Sequence, residues 1–354
     1  MRFGWLAALC AGCGFSVAGA GDGGTPGGEH TIDVPGTVPT SPRKVVFNNA
    51  NVIANLDDFP VLVPIAGQVD YSKIVDPRKD LRFEDPTDGA TLSYEVETWT
   101  PNGESLVWVK VPRIKPFPAP AFILLHFGPN ESTAEPAAVW SDYEQVNHFA
   151  ANPDDSTSHD HDAMTVVGAT PVAGYLGNAM TFSAGTDRVT FAGTVFDGWD
   201  EGSLEMWIRP VYSSGNNFVA EPRVISNAGA LQLGRFYLDS TTALVLQIDA
   251  KWQGSAHSEI HPDLPFNMWT QVTWTYDESM WRTYRNGQPA QMDEVGNHDF
   301  AASPSPLVIG DDGSSNAAHM QIDELRISQK RRSADWIRAQ QASMTRNFVS
   351  FSDP

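Results

Sequence analysis

The residues most suited to chemistry sit in one short run, Asp154-Asp155-Ser156-Thr157-Ser158-His159-Asp160-His161-Asp162, which packs four carboxylates into a single loop. Ca²⁺ takes about six to eight oxygen ligands, and clustered carboxylates with nearby carbonyls supply them. Like charges this close also repel one another, which a cation relieves. Asp155, Asp160 and Asp162 are therefore candidate Ca²⁺ ligands, set against the alternative of a plain solvated acidic loop. His159 and His161, two apart in the same loop, also admit zinc or copper.

A second chemistry is sugar recognition, in which aromatic faces stack on pyranose rings while polar groups fix orientation. Strand alternation in Trp281-Arg282-Thr283-Tyr284-Arg285 puts Trp281, Thr283 and Arg285 on one face. Trp252 and the pair Asp311-Asp312 fall in loops that could border the same rim. The competing reading packs these aromatics inside a sandwich, as expected for Val272, Trp274 and Tyr276, which share a face. Glycoside hydrolysis needs two opposed carboxylates. Gln321-Ile322-Asp323-Glu324-Leu325 offers only Asp323 on its face, and Glu205 is alone in Leu204-Glu205-Met206. G-x-S-x-G, H-E-x-x-H and phosphate-loop motifs are absent from the sequence, so the chain reads as a binding protein and not an enzyme.

The elements that must carry these residues are strands. The chain has 354 residues, with 29 Gly, 25 Pro and 11 Trp, a turn-rich and aromatic-rich balance that suits sandwiches. The length calls for more than one core. A formal net charge of −20 disfavours nucleic acid and anionic membranes.

Met1-Arg2, the apolar stretch Phe3–Val17 and Ala18-Gly19-Ala20 form the pattern of a secretory signal peptide over residues 1–20. Leu9-Cys10-Ala11-Gly12-Cys13 also resembles a bacterial lipobox, with a signal ending at residue 12 and lipid on Cys13; it departs from that pattern because Cys10 stands where Leu is expected. Both readings place the chain outside the cytoplasm, in the periplasm, at the cell surface or secreted, with a lipid anchor in the second. Cys10 and Cys13 are the two cysteines, so the chain beyond them has no thiol for a disulfide, for catalysis or for a Cys-based zinc site. No later stretch approaches the ~20 apolar residues of a membrane helix. Residues 21–42, rich in Gly, Pro and Thr, read as a disordered linker.

From Arg43 the period becomes two. Leu92 to Trp99 and Val107 to Val111 alternate apolar and polar residues, and Phe122 to Phe127 reads as a continuously buried strand. Asp85-Pro86-Thr87-Asp88-Gly89, Pro101-Asn102-Gly103 and Pro116 to Pro120 are turns. The succession DDFPVLV, DLRFED, LSYEVETW, VWVKVP, HFG and AVW resembles a bacterial exported domain of unknown function that typically precedes a LamG-like domain, here over 43–145. The resemblance implies a β-sandwich and no particular activity.

Residues 146–330, with GNAMTF, SLEMWIRP, WTQVTWTYD, the Asn286-Gly287 turn, IGDD and IDELRIS, resemble a concanavalin A-like (LamG-like) jelly roll. That resemblance puts the acidic loop where the family carries a D-S-x-G-N-G-N-type loop, with His and Asp here in place of Gly and Asn. It also implies a role for Asp323, on a late strand, in holding a cation beside that loop. Arg285 replaces the apolar residue usual before Asn-Gly.

Residues 331–354 read as a helix and tail, with Ser333 as N-cap and Trp336 and Ile337 packed on the first domain or the junction. The expected fold is thus all-β, two tandem antiparallel β-sandwiches with a short C-terminal helix. The expected partner is an extracellular polysaccharide or an envelope or surface protein, with Ca²⁺ as the candidate cofactor. A structural or adhesive envelope component and a divergent glycoside hydrolase are the alternatives.

Overall fold

Alternation of buried and exposed side chains sorts the described residues into four antiparallel sheets, paired face to face. The computed structural model describes residues 41–353 except 130–132, 150–151, 197, 212–222, 228–230, 239–242, 253–254, 261–263, 278–279, 295–303, 314 and 316. Of 231–238, 243–252, 255–260 and 291–294 it describes the backbone alone. The expected leader, linker and Cys13 lie outside the described residues. No helix among those described is long and apolar enough to cross a membrane.

The first sandwich stacks a five-stranded sheet on a three-stranded one. Strands Val349–Ser352, Arg43–Phe47, Phe122–Phe127, Leu81–Glu84 and Thr91–Leu92 are neighbours in that order. Leu56–Pro64, Leu106–Ile114 and Tyr94–Thr98 form the other sheet. Their inward residues, among them Val45, Phe59, Phe83, Tyr94 and Leu125, make one core. Phe122–Phe127 is not continuously buried as expected. It alternates, with Phe122, Leu124 and His126 partly exposed, because only one face of this sheet has a partner.

The second sandwich pairs two larger sheets over a core that includes Met206, Trp274, Tyr276, Ile309 and Leu325. In one sheet, Met320–Ser328 runs between Asn178–Phe182 and Glu201–Pro210, followed by Thr270–Asp277, Met280–Arg285 and Gln288–Glu294. Asn286 and Gly287 turn the last hairpin with φ of 48° and 74°, both positive as a type I′ turn requires. The short strand Gln145–Asn147 adds to Met320–Ser328, with Val146 opposite Arg326.

Helix Ala334–Met344 begins at Ser333, whose hydroxyl accepts the Trp336 N–H at 3.2 Å. It returns to the first sandwich, where Trp336 and Ala339 join the core. The tail after it forms a strand as well, Val349–Ser352, beside Arg43–Phe47. A third apolar cluster, including Leu62, Trp108, Trp140, Val146, Trp207 and Met344, joins the two sandwiches.

Candidate functional site

Where the sandwiches meet, strand Tyr94–Thr98 from the first and Met320–Ser328 from the second converge on His148, which follows Gln145–Asn147. Glu95 and Glu97, two apart on one strand, both reach it. His148 Nδ1 lies 2.7 Å from Glu324 Oε1 and 2.9 Å from Glu97 Oε2, and Nε2 lies 3.3 Å from Glu95 Oε2. Glu97 also accepts the Trp108 indole N–H at 3.2 Å, and Glu95 accepts the Trp140 indole N–H and the Ser156 hydroxyl, the latter at 2.8 Å. Arg326 bonds Glu324 and lies 3.8 Å from Glu205. Its guanidinium rests 4.2 Å from the Trp108 ring centre and 4.7 Å from that of Trp140.

This network fixes its own protonation. Burial opposes a charge on His148, but Glu324, Glu97 and Glu95 outweigh it and hold the imidazole well above its ordinary pKa. Burial also acts on Glu95 and Glu324, yet His148 and their hydrogen bonds bring both carboxyls down. For Glu97, burial prevails over the pull of His148, and the nearby Glu324 charge pushes its pKa up further. Glu205 rises through burial, against Arg326. Glu97, His148 and Glu324 bring donor atoms within a metal's reach of one another. Those atoms contact one another and Arg326 at hydrogen-bonding distances, so the cluster acts as a self-neutralised staple.

A cleft of about 300 Å³ opens beside the staple, lined by Arg78, Glu95, Glu97, His148, Asn152, Asp154 and Ser156 among others. Both sandwiches contribute to it. Its volume is at the lower end of the roughly 300–1,000 Å³ of small-ligand pockets.

Two family models match the chain: the Domain of unknown function (DUF2341) over residues 78–159, which include every residue lining the cleft, and the Concanavalin A-like lectin/glucanases superfamily over residues 183–338. The chain carries a DUF2341 domain followed by a concanavalin A-like domain. No curated protein matches it. Among solved structures it is similar to the binding domain of Paraclostridial Mosquitocidal Protein 1, at 15% identity and a TM-score of 0.47 over 57% of this chain and 52% of that one. It is also similar to the Botulinum Neurotoxin serotype G binding domain, at 11% and 0.45 over 56% and 50%. Domain 4 of AbnA, a GH43 extracellular arabinanase from Geobacillus stearothermophilus, gives 14% and 0.41 over 56% and 97%. The chain thus spans about half the length of the two toxin binding domains.

The concanavalin A-like domain does not present Trp281 to solvent. Trp281 pairs with Tyr276 across the hairpin, ring centres 5.0 Å apart, and is buried in the inter-sheet core. This corrects its expected place on a binding rim: its cross-strand partner already faces the core, and directly opposed residues share a face. Arg285, on the same strand opposite Val272, is half-buried. Asp311 is buried and accepts the backbone N–H groups of Gly313 and Ser315 at 3.0 and 2.7 Å, which shapes its loop. Asp312 pairs with Arg223 at 2.9 Å. Trp252 ends strand Ala243–Trp252, and its side chain lies outside the described residues.

Three of the four carboxylates expected around Ca²⁺ hold other partners. Asp155 accepts the backbone N–H of Val146 (2.9 Å), Thr157 (3.0 Å) and His161 (3.0 Å), together with the Thr157 hydroxyl. Asp162 accepts the Asp155 N–H at 2.8 Å. Asp323 is fully buried and accepts the N–H groups of Tyr175 and Leu176 at 2.8 and 2.9 Å. Burial, then the Glu324 charge, holds its pKa well above the carboxylate range. Asp160 stands exposed at φ 56°.

The residues that do converge, Glu95, Glu97, His148 and Arg326, were missed in the sequence. Their signal in the sequence is Glu95-Val96-Glu97, two carboxylates on one face of a strand of the first sandwich.

Proposed function

We propose that this chain is an exported, non-catalytic recognition protein whose junction cleft takes a hydroxyl-rich group of an extracellular glycan. The observation that carries this reading is the cleft itself, where carboxylate, amide, hydroxyl and guanidinium groups from both sandwiches line one small polar space. Such groups are the hydrogen-bonding partners of sugar hydroxyls. The concanavalin A-like family description covers both lectins and glucanases. Burial favours the lectin side: the Glu97 side chain is 1% exposed and Glu324 is 0% exposed, each tied to His148. Export is supported by the Phe3–Val17 stretch and the Ala18-Gly19-Ala20 signal.

One observation favours hydrolysis instead. Glu95 and Glu97 share a strand face, and their pKa values are driven in opposite directions, the mark of an acid and base pair. A panel of soluble polysaccharide fragments decides the matter by thermal shift and reducing-end release. The recognition reading expects a glycan that raises the melting temperature and is recovered intact. Release of reducing ends that stops in Glu97→Gln replaces it with hydrolysis. A panel without any shift, alongside retention of the chain by an envelope protein, replaces the glycan with a protein partner.

A further inference from the structure

Away from the staple, a second set of donors is arranged differently. Glu144 precedes strand Gln145–Asn147, and His159 and His161 lie on the acidic loop. Glu144 Oε1 is 3.1 Å from His161 Nε2 and 3.7 Å from His159 Nδ1. The three donor atoms all fall within 4.8 Å of one another. The two imidazoles stack in parallel, planes 4° apart and centres separated by 5.9 Å.

Each donor is held from behind. His161 Nδ1 lies 3.0 Å from the Ala192 carbonyl, which only accepts, so Nδ1 carries a proton and Nε2 is the ring atom that faces Glu144. Metal-binding imidazoles are oriented by this kind of backbone contact. Gly193, at φ +71°, makes room for the ring, since a Cβ there would stand 2.8 Å from His161 Nδ1. Gln329 Nε2 donates to the other Glu144 oxygen at 3.2 Å. Asp155 pins the His161 backbone, and the Thr157 hydroxyl accepts the His159 N–H at 3.1 Å.

Ligands about 2.0–2.1 Å from a tetrahedral Zn²⁺ stand roughly 3.3–3.4 Å from one another, and the separations of 3.1 and 3.7 Å bracket that value. Exposure rises from 9% for His161 and 12% for Glu144 to 47% for His159, so the His159 side of the triad meets solvent. Two nitrogens and one oxygen suit Zn²⁺, whereas Ca²⁺ and Mg²⁺ take oxygen. The geometry points to a site for a divalent transition metal of the Zn²⁺ type, held by Glu144 Oε1, His159 Nδ1, His161 Nε2 and a water. The ion would tie the far end of the loop that lines the junction cleft through Asn152, Asp154 and Ser156.

The test uses the full chain, stripped with EDTA and titrated calorimetrically with ZnCl₂ alone, then with CoCl₂ under absorption spectroscopy and with CaCl₂. Expected results are uptake of one Zn²⁺ per chain, the visible bands of four-coordinate Co²⁺, and no competition from Ca²⁺. His159→Ala, at a half-exposed position, should weaken Zn²⁺ by about tenfold or more while the metal-free melting temperature stays at the parent's value. Glu144→Gln provides a second variant with the same expected loss. Failure of the stripped chain to take up Zn²⁺, or uptake unchanged in both variants, overturns the site. Neither result bears on glycan binding.

Discussion

Trp336 stands edge-on to Phe59, ring centres 4.7 Å apart and planes at 74°, so a residue of the C-terminal helix completes the core of the first sandwich. The contact joins sequence that follows the concanavalin A-like strands to the DUF2341 side. Trp336→Ala should cost about 3–5 kcal/mol, the usual range for emptying a buried tryptophan site. Urea unfolding followed by fluorescence and by far-UV dichroism checks this. A loss below about 1 kcal/mol would mean that the helix merely decorates the surface.

Arg326 is the cation that Glu324 and Glu205 share under two tryptophan rings. Arg326→Met leaves those carboxylates buried without it, and should destabilise the chain by about 3–5 kcal/mol. Adding Glu324→Gln should recover part of that loss, because the two sites belong to one network. Additive losses in a double-mutant cycle would show that they act independently.

His148 sets a pH dependence whose sign follows from its raised pKa. The folded state binds the proton more tightly than the unfolded one, so the stabilisation is complete below about pH 6.5, the unfolded value. It fades as pH climbs through the folded value. Urea midpoints measured between pH 6 and 9 should therefore fall in the parent and fall less steeply in His148→Gln. Parallel curves for the two proteins would remove His148 from the account. Glu95 and Glu324, whose pKa values are lowered, act in the opposite sense and lose their contribution as pH drops below about 4.3.

Arg78 and Asn152 line the junction cleft without belonging to the staple. Substituting either by alanine should weaken binding of a responsive glycan fragment by about tenfold, roughly 1.4 kcal/mol, with little change in melting temperature. Calorimetric titration of parent and variants is the measurement. Unchanged affinity in both would move the ligand elsewhere on the molecule.

Much of this architecture could be read from alternation and turn chemistry. Asn286-Gly287 announced its hairpin, and Ser333 its helix, because both are local decisions of backbone and hydrogen bond. Trp281 was misplaced because alternation tells which residues share a face but not which face is covered. The missing information was register: Trp281 lies opposite Tyr276, which belongs to the core. The staple escaped notice for a related reason. Glu95, His148 and Glu324 are remote in sequence, and only the packing of one sandwich on the other brings them together. Asp155 illustrates the converse. Its carboxylate also gathers the backbone N–H groups of Val146, Thr157 and His161, a local role that a count of clustered charges does not reveal.

Strand Val349–Ser352 lies along Arg43–Phe47, with Phe47 opposite Val349 and Lys44 opposite Ser352. A ribosome makes these two partners about three hundred residues apart, so Arg43–Phe47 waits for Val349–Ser352 before its sheet is whole. An excised DUF2341 segment would have a bare edge and lack the Trp336 plug, which favours misassembly over independent folding. Deletion of Val349–Ser352 should then injure the sandwich built from strands made some two to three hundred residues earlier.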